Sequence, residues 1–132
     1  MSRVLIVDDD EHIAKALSIR LRASGYEIRV ASDGAEAVAM VDEFAPDLVV
    51  MDINMPAGGG LLAAERIAET SGTPVVFVTA SKRPELGEDV ARVGGAGLFE
   101  KPLDTPRFLA HVRATLDTLT GEEAPGQDPA SV

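Results

Sequence analysis

The 132-residue chain carries 22 acidic residues against 12 Lys and Arg, a formal net charge of −10, with 45% hydrophobic residues, 4% aromatic residues and no cysteine. That length suits one domain. The acidic balance argues against direct nucleic-acid binding, which needs Lys and Arg against phosphates. The lack of cysteine excludes disulfides, thiolate metal sites and cysteine nucleophiles. No secretory apolar segment and no run long enough to span a bilayer is visible, so no membrane insertion and a cytoplasmic location are expected.

In chain order, Val4-Leu5-Ile6-Val7 reads as a strand buried on both faces, and Asp8 and Asp9 follow it. A helix is expected over residues 11–23, with Ile13, Leu17 and Leu21 on one face, closed by Ser24-Gly25. Tyr26-Glu27-Ile28-Arg29-Val30 alternates apolar and polar residues, as a half-buried strand does. Ser32-Asp33-Gly34 turns into a second helix carrying Val38, Val41 and Phe44. Leu48-Val49-Val50-Met51 is a second apolar strand and ends at Asp52; a loop over 56–60 and a helix over 61–69 follow. Val75-Val76-Phe77-Val78 is a third apolar strand and ends at Thr79. A weaker helix over 85–93 precedes the short strand Leu98-Phe99-Glu100, which ends at Lys101. The last helix starts near Thr105, with Pro106 in its first turn. Residues 1–119 are read as one domain and 120–132, polar and rich in Pro and Gly, as a disordered acidic tail.

Strict alternation of strands and helices predicts an α/β fold, a doubly wound, flavodoxin-like parallel sheet of five strands with five helices. The three wholly apolar strands belong in the centre and the other two at the edges. The order 2-1-3-4-5 satisfies this and puts Asp8, Asp9 and Asp52 at the switch point, where ligands bind beyond the carboxyl ends of the strands.

Two carboxylates 4 Å apart repel by about 4 kcal/mol at an effective dielectric near 20, so three acids gathered there call for a cation. Oxygen-only ligands favour Mg²⁺, with Mn²⁺ or Ca²⁺ as alternatives. Asp10 and Glu11 are read as acids at a helix start, and His12 as facing solvent. Asp52 is the candidate nucleophile, since a carboxylate attacking a phosphoryl group forms an acyl phosphate. Lys101 suits pairing with Asp52 at rest and with a phosphoryl oxygen afterwards. Thr79 is placed to hydrogen-bond that oxygen. The Asn54 backbone carbonyl is placed to add a metal ligand. Ala80 and the run Gly58-Gly59-Gly60 leave room for a phosphodonor.

These residues make the chain similar to the receiver domain of two-component response regulators, from about Arg3 to Leu119. Val7-Asp8-Asp9-Asp10 resembles the family's acid pair. Met51-Asp52-Ile53-Asn54-Met55-Pro56 resembles its phosphoacceptor segment. Val78-Thr79-Ala80 and Glu100-Lys101-Pro102 resemble its switch Thr and its Lys-Pro. The resemblance implies phosphorylation of Asp52 from a phosphohistidine on a histidine kinase or histidine phosphotransferase. It implies Mg²⁺ held by Asp9, Asp52 and the Asn54 carbonyl, with Asp8 acting through water. It also implies a switched surface for a downstream protein on the fourth helix, fifth strand and fifth helix, where Glu85, Glu88, Arg92, Arg107 and Arg113 are expected to be exposed.

Two departures stand out. The family's usual aromatic, three residues before the lysine, is Leu98 here, and Phe99 lies one place later. One residue along a strand reverses the face, so the usual coupling of Thr to an aromatic is not expected. Gly58-Gly59-Gly60 replaces a common Met-Asp-Gly, and a more mobile loop is expected.

Two other functions compete for the same residues. An aspartate-nucleophile phosphatase of the haloacid-dehalogenase type needs Asp-x-Asp-x-Thr, and Asp8-Asp9-Asp10-Glu11-His12 lacks the Thr. A phosphorylation-independent, receiver-like interaction module requires equal partner affinity in wild type and Asp52→Asn.

Overall fold

The computed structural model describes residues 1–55, 59–81 and 83–120. Strands and helices alternate throughout: β1 (Arg3–Val7), α1 (Glu11–Ala23), β2 (Glu27–Ala31), α2 (Gly34–Phe44), β3 (Leu48–Asp52), α3 (Gly59–Thr70), β4 (Val75–Thr79), α4 (Leu86–Arg92), β5 (Gly97–Glu100) and α5 (Thr105–Thr120). All strand pairs are parallel and the order is β2-β1-β3-β4-β5, as expected.

Burial explains that order. Every residue of β3 and β4 is buried, whereas β2 is mostly exposed and β5 only partly covered. Side chains alternate across the sheet. Leu5, Val7, Val49, Met51 and Phe77 therefore pack under α2, α3 and α4, against Val41, Phe44, Ile67, Leu86 and Val90. Val4, Ile6, Val50, Val76 and Val78 pack on the other face under α1 and α5, against Leu17, Leu21, Phe108, Val112 and Leu116.

Local chemistry starts the helices. The Asp10 carboxylate accepts from the backbone N–H groups of His12 and Ile13 and caps α1. Asp33 accepts from the Glu36 N–H at 2.8 Å while Glu36 accepts from the Ser32 N–H at 2.7 Å, a reciprocal pair of the capping-box type opening α2. Ala45, in the left-handed region at φ 50°, ends α2.

Several boundaries moved. β2 begins at Glu27 rather than Tyr26, whose ring packs toward the α1–α5 side. α3 begins at Gly59, two residues before the expected start, because Gly60 packs against the end of β3. α4 covers 86–92 rather than 85–93. α5 runs to Thr120, one residue into the expected tail; the rest of that tail, and residues 56–58 of the expected mobile loop, lie outside the described residues. Among the described residues no helix is long and apolar enough to cross a membrane.

On β5 the side chains alternate between the two faces, as expected. Leu98 packs against the cluster containing Phe77, Leu86 and Val90. Phe99 points to the opposite face, edge-on to Phe108 at 5.4 Å and to His111 at 5.2 Å. The His111 ring lies over the start of the strand, its Nε2 2.7 Å from the Ala96 carbonyl. Only a glycine at 97 leaves it that room, since a Cβ there would stand 2.5 Å from Nε2.

Candidate functional site

Register builds the site. Val7 pairs with Met51 across β1 and β3, so Asp8, the next residue, comes level with Asp52. Thr79 pairs with Glu100 across β4 and β5, so Lys101 follows just beyond. Four successive strand ends thus deliver Asp8, Asp52, Thr79 and Lys101 to one edge, with Asp9 in the turn into α1.

Asp8, Asp9 and Asp52 each offer a carboxylate oxygen within 4.8 Å of the others. Asp8 and Asp52 are buried; Asp9 is exposed. Lys101 Nζ lies 3.1 Å from Asp8 Oδ2 and 3.6 Å from Asp52 Oδ1. Lys101 thus pairs with Asp52 at rest, as expected, and more closely with Asp8, a second partner that the sequence did not signal. The second Asp8 oxygen accepts from the Asp10 N–H at 2.9 Å. The ammonium contacts two of the three clustered carboxylates, and the three acids offer only oxygen, so the residues present fit a hard divalent cation.

Asp52 Oδ1 accepts from the Asn54 N–H at 3.1 Å. Its carboxyl is held above its ordinary pKa, first by burial and then by the charges of Asp8 and Asp9, with the Asn54 hydrogen bond and Lys101 opposing. An acid whose pKa is raised by folding contributes stability at pH values below its unfolded pKa. That contribution is lost as pH rises through the folded pKa. In metal-free protein, Asp52→Asn is therefore expected to be more stable than wild type at neutral pH, with a higher Tm. Thermal unfolding across pH checks this. The gain should vanish below the ordinary aspartate range and shrink when a divalent cation is added.

Thr79 reaches the same edge, but its hydroxyl does not bond Asp52. It donates to Asn54 Oδ1 at 2.7 Å and accepts from the Ser81 N–H at 2.9 Å. The Ala80 N–H donates to the same Asn54 oxygen at 3.2 Å. The sequence points to the Asn54 carbonyl but not to its side chain or to Ser81, because no spacing in the chain signals a contact across 25 residues. Asp10 and Glu11 sit at the start of α1, and His12 is exposed, as expected. Ala80 is exposed beside Lys101, on the rim of an apolar groove between α1 and α5 that includes Ile13, Leu17, Leu103 and Phe108.

A doubly wound 2-1-3-4-5 sheet with an acid cluster and a lysine at its switch point defines a class of phosphoryl-accepting signalling domains. The chain belongs to the response regulator receiver domain family, whose model matches residues 4–113. It is 36% identical over 115 residues to the DNA-binding response regulator MtrA of Mycobacterium tuberculosis, covering 86% of this chain and 50% of that protein. It is 33% identical over 126 residues to an uncharacterized transcriptional regulatory protein, YvcP, of Bacillus subtilis, covering 95% and 53%. The chain thus spans about half the length of these curated relatives. Among solved structures, the Vibrio cholerae chemotaxis protein CheY4 superposes with a TM-score of 0.82 at 30% identity, over 87% of this chain and 98% of that one. A CheY-like receiver domain protein of Methanospirillum hungatei gives 0.85 at 26% identity, over 93% and 99%. The chain is a receiver of the two-component type, with an acidic pocket suited to phosphorylation and a cation.

Proposed function

We propose that Asp52 is the phosphoacceptor, charged from a phosphohistidine on a histidine kinase or histidine phosphotransferase, and that phosphorylation switches binding to a downstream protein. The observation that carries this is the placement of Asp52, 3% exposed at the end of β3, between an acid cluster and Lys101. An Asp52 carboxylate oxygen attacks phosphorus, the P–N bond to the donor imidazole breaks, and that nitrogen leaves as neutral imidazole after taking up a proton.

Mg²⁺ is the proposed ion, held by Asp9, Asp52 and the Asn54 backbone carbonyl, with Asp8 acting through water. Bound there, it would offset the negative charge shared by carboxylate and phosphoryl group. The two Asp8 oxygens already engaged, by Lys101 and by the Asp10 N–H, support an indirect role for Asp8. Lys101 stands ready to pair with a phosphoryl oxygen, and Thr79 to turn toward one. The downstream partner is assigned to the α4–β5–α5 face, where Glu85, Glu88, Arg92, Arg107 and Arg113 are all exposed. We place the protein in the cytoplasm, with residues 1–119 as the receiver unit and self-phosphorylation and autodephosphorylation as its only chemistry.

The test is intact mass after incubation with acetyl phosphate. A gain of one phosphoryl group with Mg²⁺, lost in EDTA and removed by hydroxylamine as an acyl phosphate would be, is expected. No gain under any condition would return the phosphorylation-independent module to first place.

A further inference from the structure

We infer that the Asn54 side chain is a resting-state latch: its amide oxygen occupies both donors, the Thr79 hydroxyl and the Ala80 N–H, that an anion on Asp52 would use. This rests on the reading of Asp52 as acceptor. It goes further by giving the Asn54 side chain a positioning role separate from its carbonyl.

The proton assignment follows from the partners. The Ala80 N–H can only donate, so the Asn54 atom facing it at 3.2 Å is Oδ1. The Ser81 N–H donates to Thr79 Oγ1 at 2.9 Å, which directs the Thr79 proton to Asn54 Oδ1 at 2.7 Å. One oxygen thus gathers two donors at the end of β4. Through its own N–H, Asn54 also contacts Asp52 Oδ1 at 3.1 Å, so a single residue joins the acceptor to the donors that would serve it.

Burial makes the latch reversible. Thr79 is 1% exposed, so its hydroxyl needs a partner in every state. Asn54 is exposed, and once released its amide is satisfied by water. A phosphoryl oxygen is a charged acceptor, and charge-assisted hydrogen bonds are roughly twice as strong as neutral ones. The donors therefore stay on Asn54 at rest and transfer once the anion forms. Leu98 is aliphatic and packs into the core under α4, so it offers Thr79 no polar alternative.

The experiment uses the full chain, beryllofluoride as the phosphoryl mimic and saturating Mg²⁺, followed through the Ala80 and Ser81 amides by NMR. Asn54→Ala is expected to bind beryllofluoride about three- to tenfold more tightly than wild type, the worth of the hydrogen bonds no longer broken. Without the mimic, the Ala80 amide should exchange its hydrogen faster in the variant. In a Thr79→Val background the affinity gain should shrink, because one latched donor is already gone. Equal or weaker binding by Asn54→Ala, with wild type binding normally, overturns the latch whatever the exchange rate; so does a gain that ignores Thr79. Failure of wild type itself to bind beryllofluoride removes the acceptor reading, and the latch with it.

Discussion

Asp52→Asn is expected to abolish phosphoryl gain from acetyl phosphate altogether, while wild type gains one group. The amide is nearly isosteric and keeps an oxygen for the Asn54 N–H that now bonds Asp52 Oδ1 at 3.1 Å, so the fold should persist. It cannot form the acyl phosphate, because a neutral amide is a far weaker nucleophile than a carboxylate. The neighbouring acids are poor substitutes. Asp8 has one oxygen on Lys101 at 3.1 Å and the other on the Asp10 N–H at 2.9 Å. Asp9 is exposed, in the turn beyond β1. Intact mass with Mg²⁺ reads the outcome, and thermal unfolding of the same sample shows that the variant is folded. A residual one-phosphoryl gain in Asp52→Asn would mean that another side chain accepts the group and would sink the assignment to Asp52.

Gly60→Ala should have the largest effect on stability. A Cβ at Gly60 would collide with the backbone carbonyl oxygen of Asp52 and stand 2.6 Å from the Met51 Cγ. The obstruction is partly backbone at the end of a wholly buried strand, so it cannot rotate away. The first turn of α3 would have to lift, straining the Gly60 N–H contact to the Ile53 carbonyl at 3.3 Å. Overpacking of this kind costs about 3 kcal/mol, near the upper end of the usual range, or roughly 10 °C in Tm. Chemical denaturation checks it, and phosphoryl uptake should also slow, because the atom struck belongs to Asp52. Gly87→Ala is the contrast: nothing lies within 4 Å of a Cβ there, and the position is inside α4. It should be neutral or stabilising by up to about 1 kcal/mol. A Gly60→Ala protein as stable as wild type would mean that α3 adjusts freely and that this glycine is not a packing requirement.

Gly60 also carries a constraint that no local pattern in the chain signals. By sequence the Gly58-Gly59-Gly60 run reads as space for a phosphodonor, since Gly is the ordinary mark of an open loop. Position 60 instead needs Gly because helix and strand end touch, a requirement that exists only once both are in place. Gly97 is similar, leaving room for the His111 ring from a helix distant in the chain. The exchange of aromatic positions on β5 was readable because face alternation is a local property: Leu98 and Phe99 go to opposite cores wherever the strand docks.

Continuous apolar runs at Val4, Leu48 and Val75, alternation at Tyr26, and acids placed just after strands were enough to set strand order and switch point. Burial on two faces and the geometry of parallel crossovers leave few other arrangements. The same logic brings Asp8, Asp9, Asp52, Thr79 and Lys101 to one edge. Packing alone decides which atom holds which. Lys101 sits closer to Asp8 than to Asp52 by the difference between 3.1 and 3.6 Å. Thr79 faces Asn54 rather than Asp52 because an exposed amide oxygen lies within reach of a buried hydroxyl. Such choices turn on sub-ångström differences among competing partners. Periodicity can deliver the competitors to one crevice, but it carries no information about which of them wins.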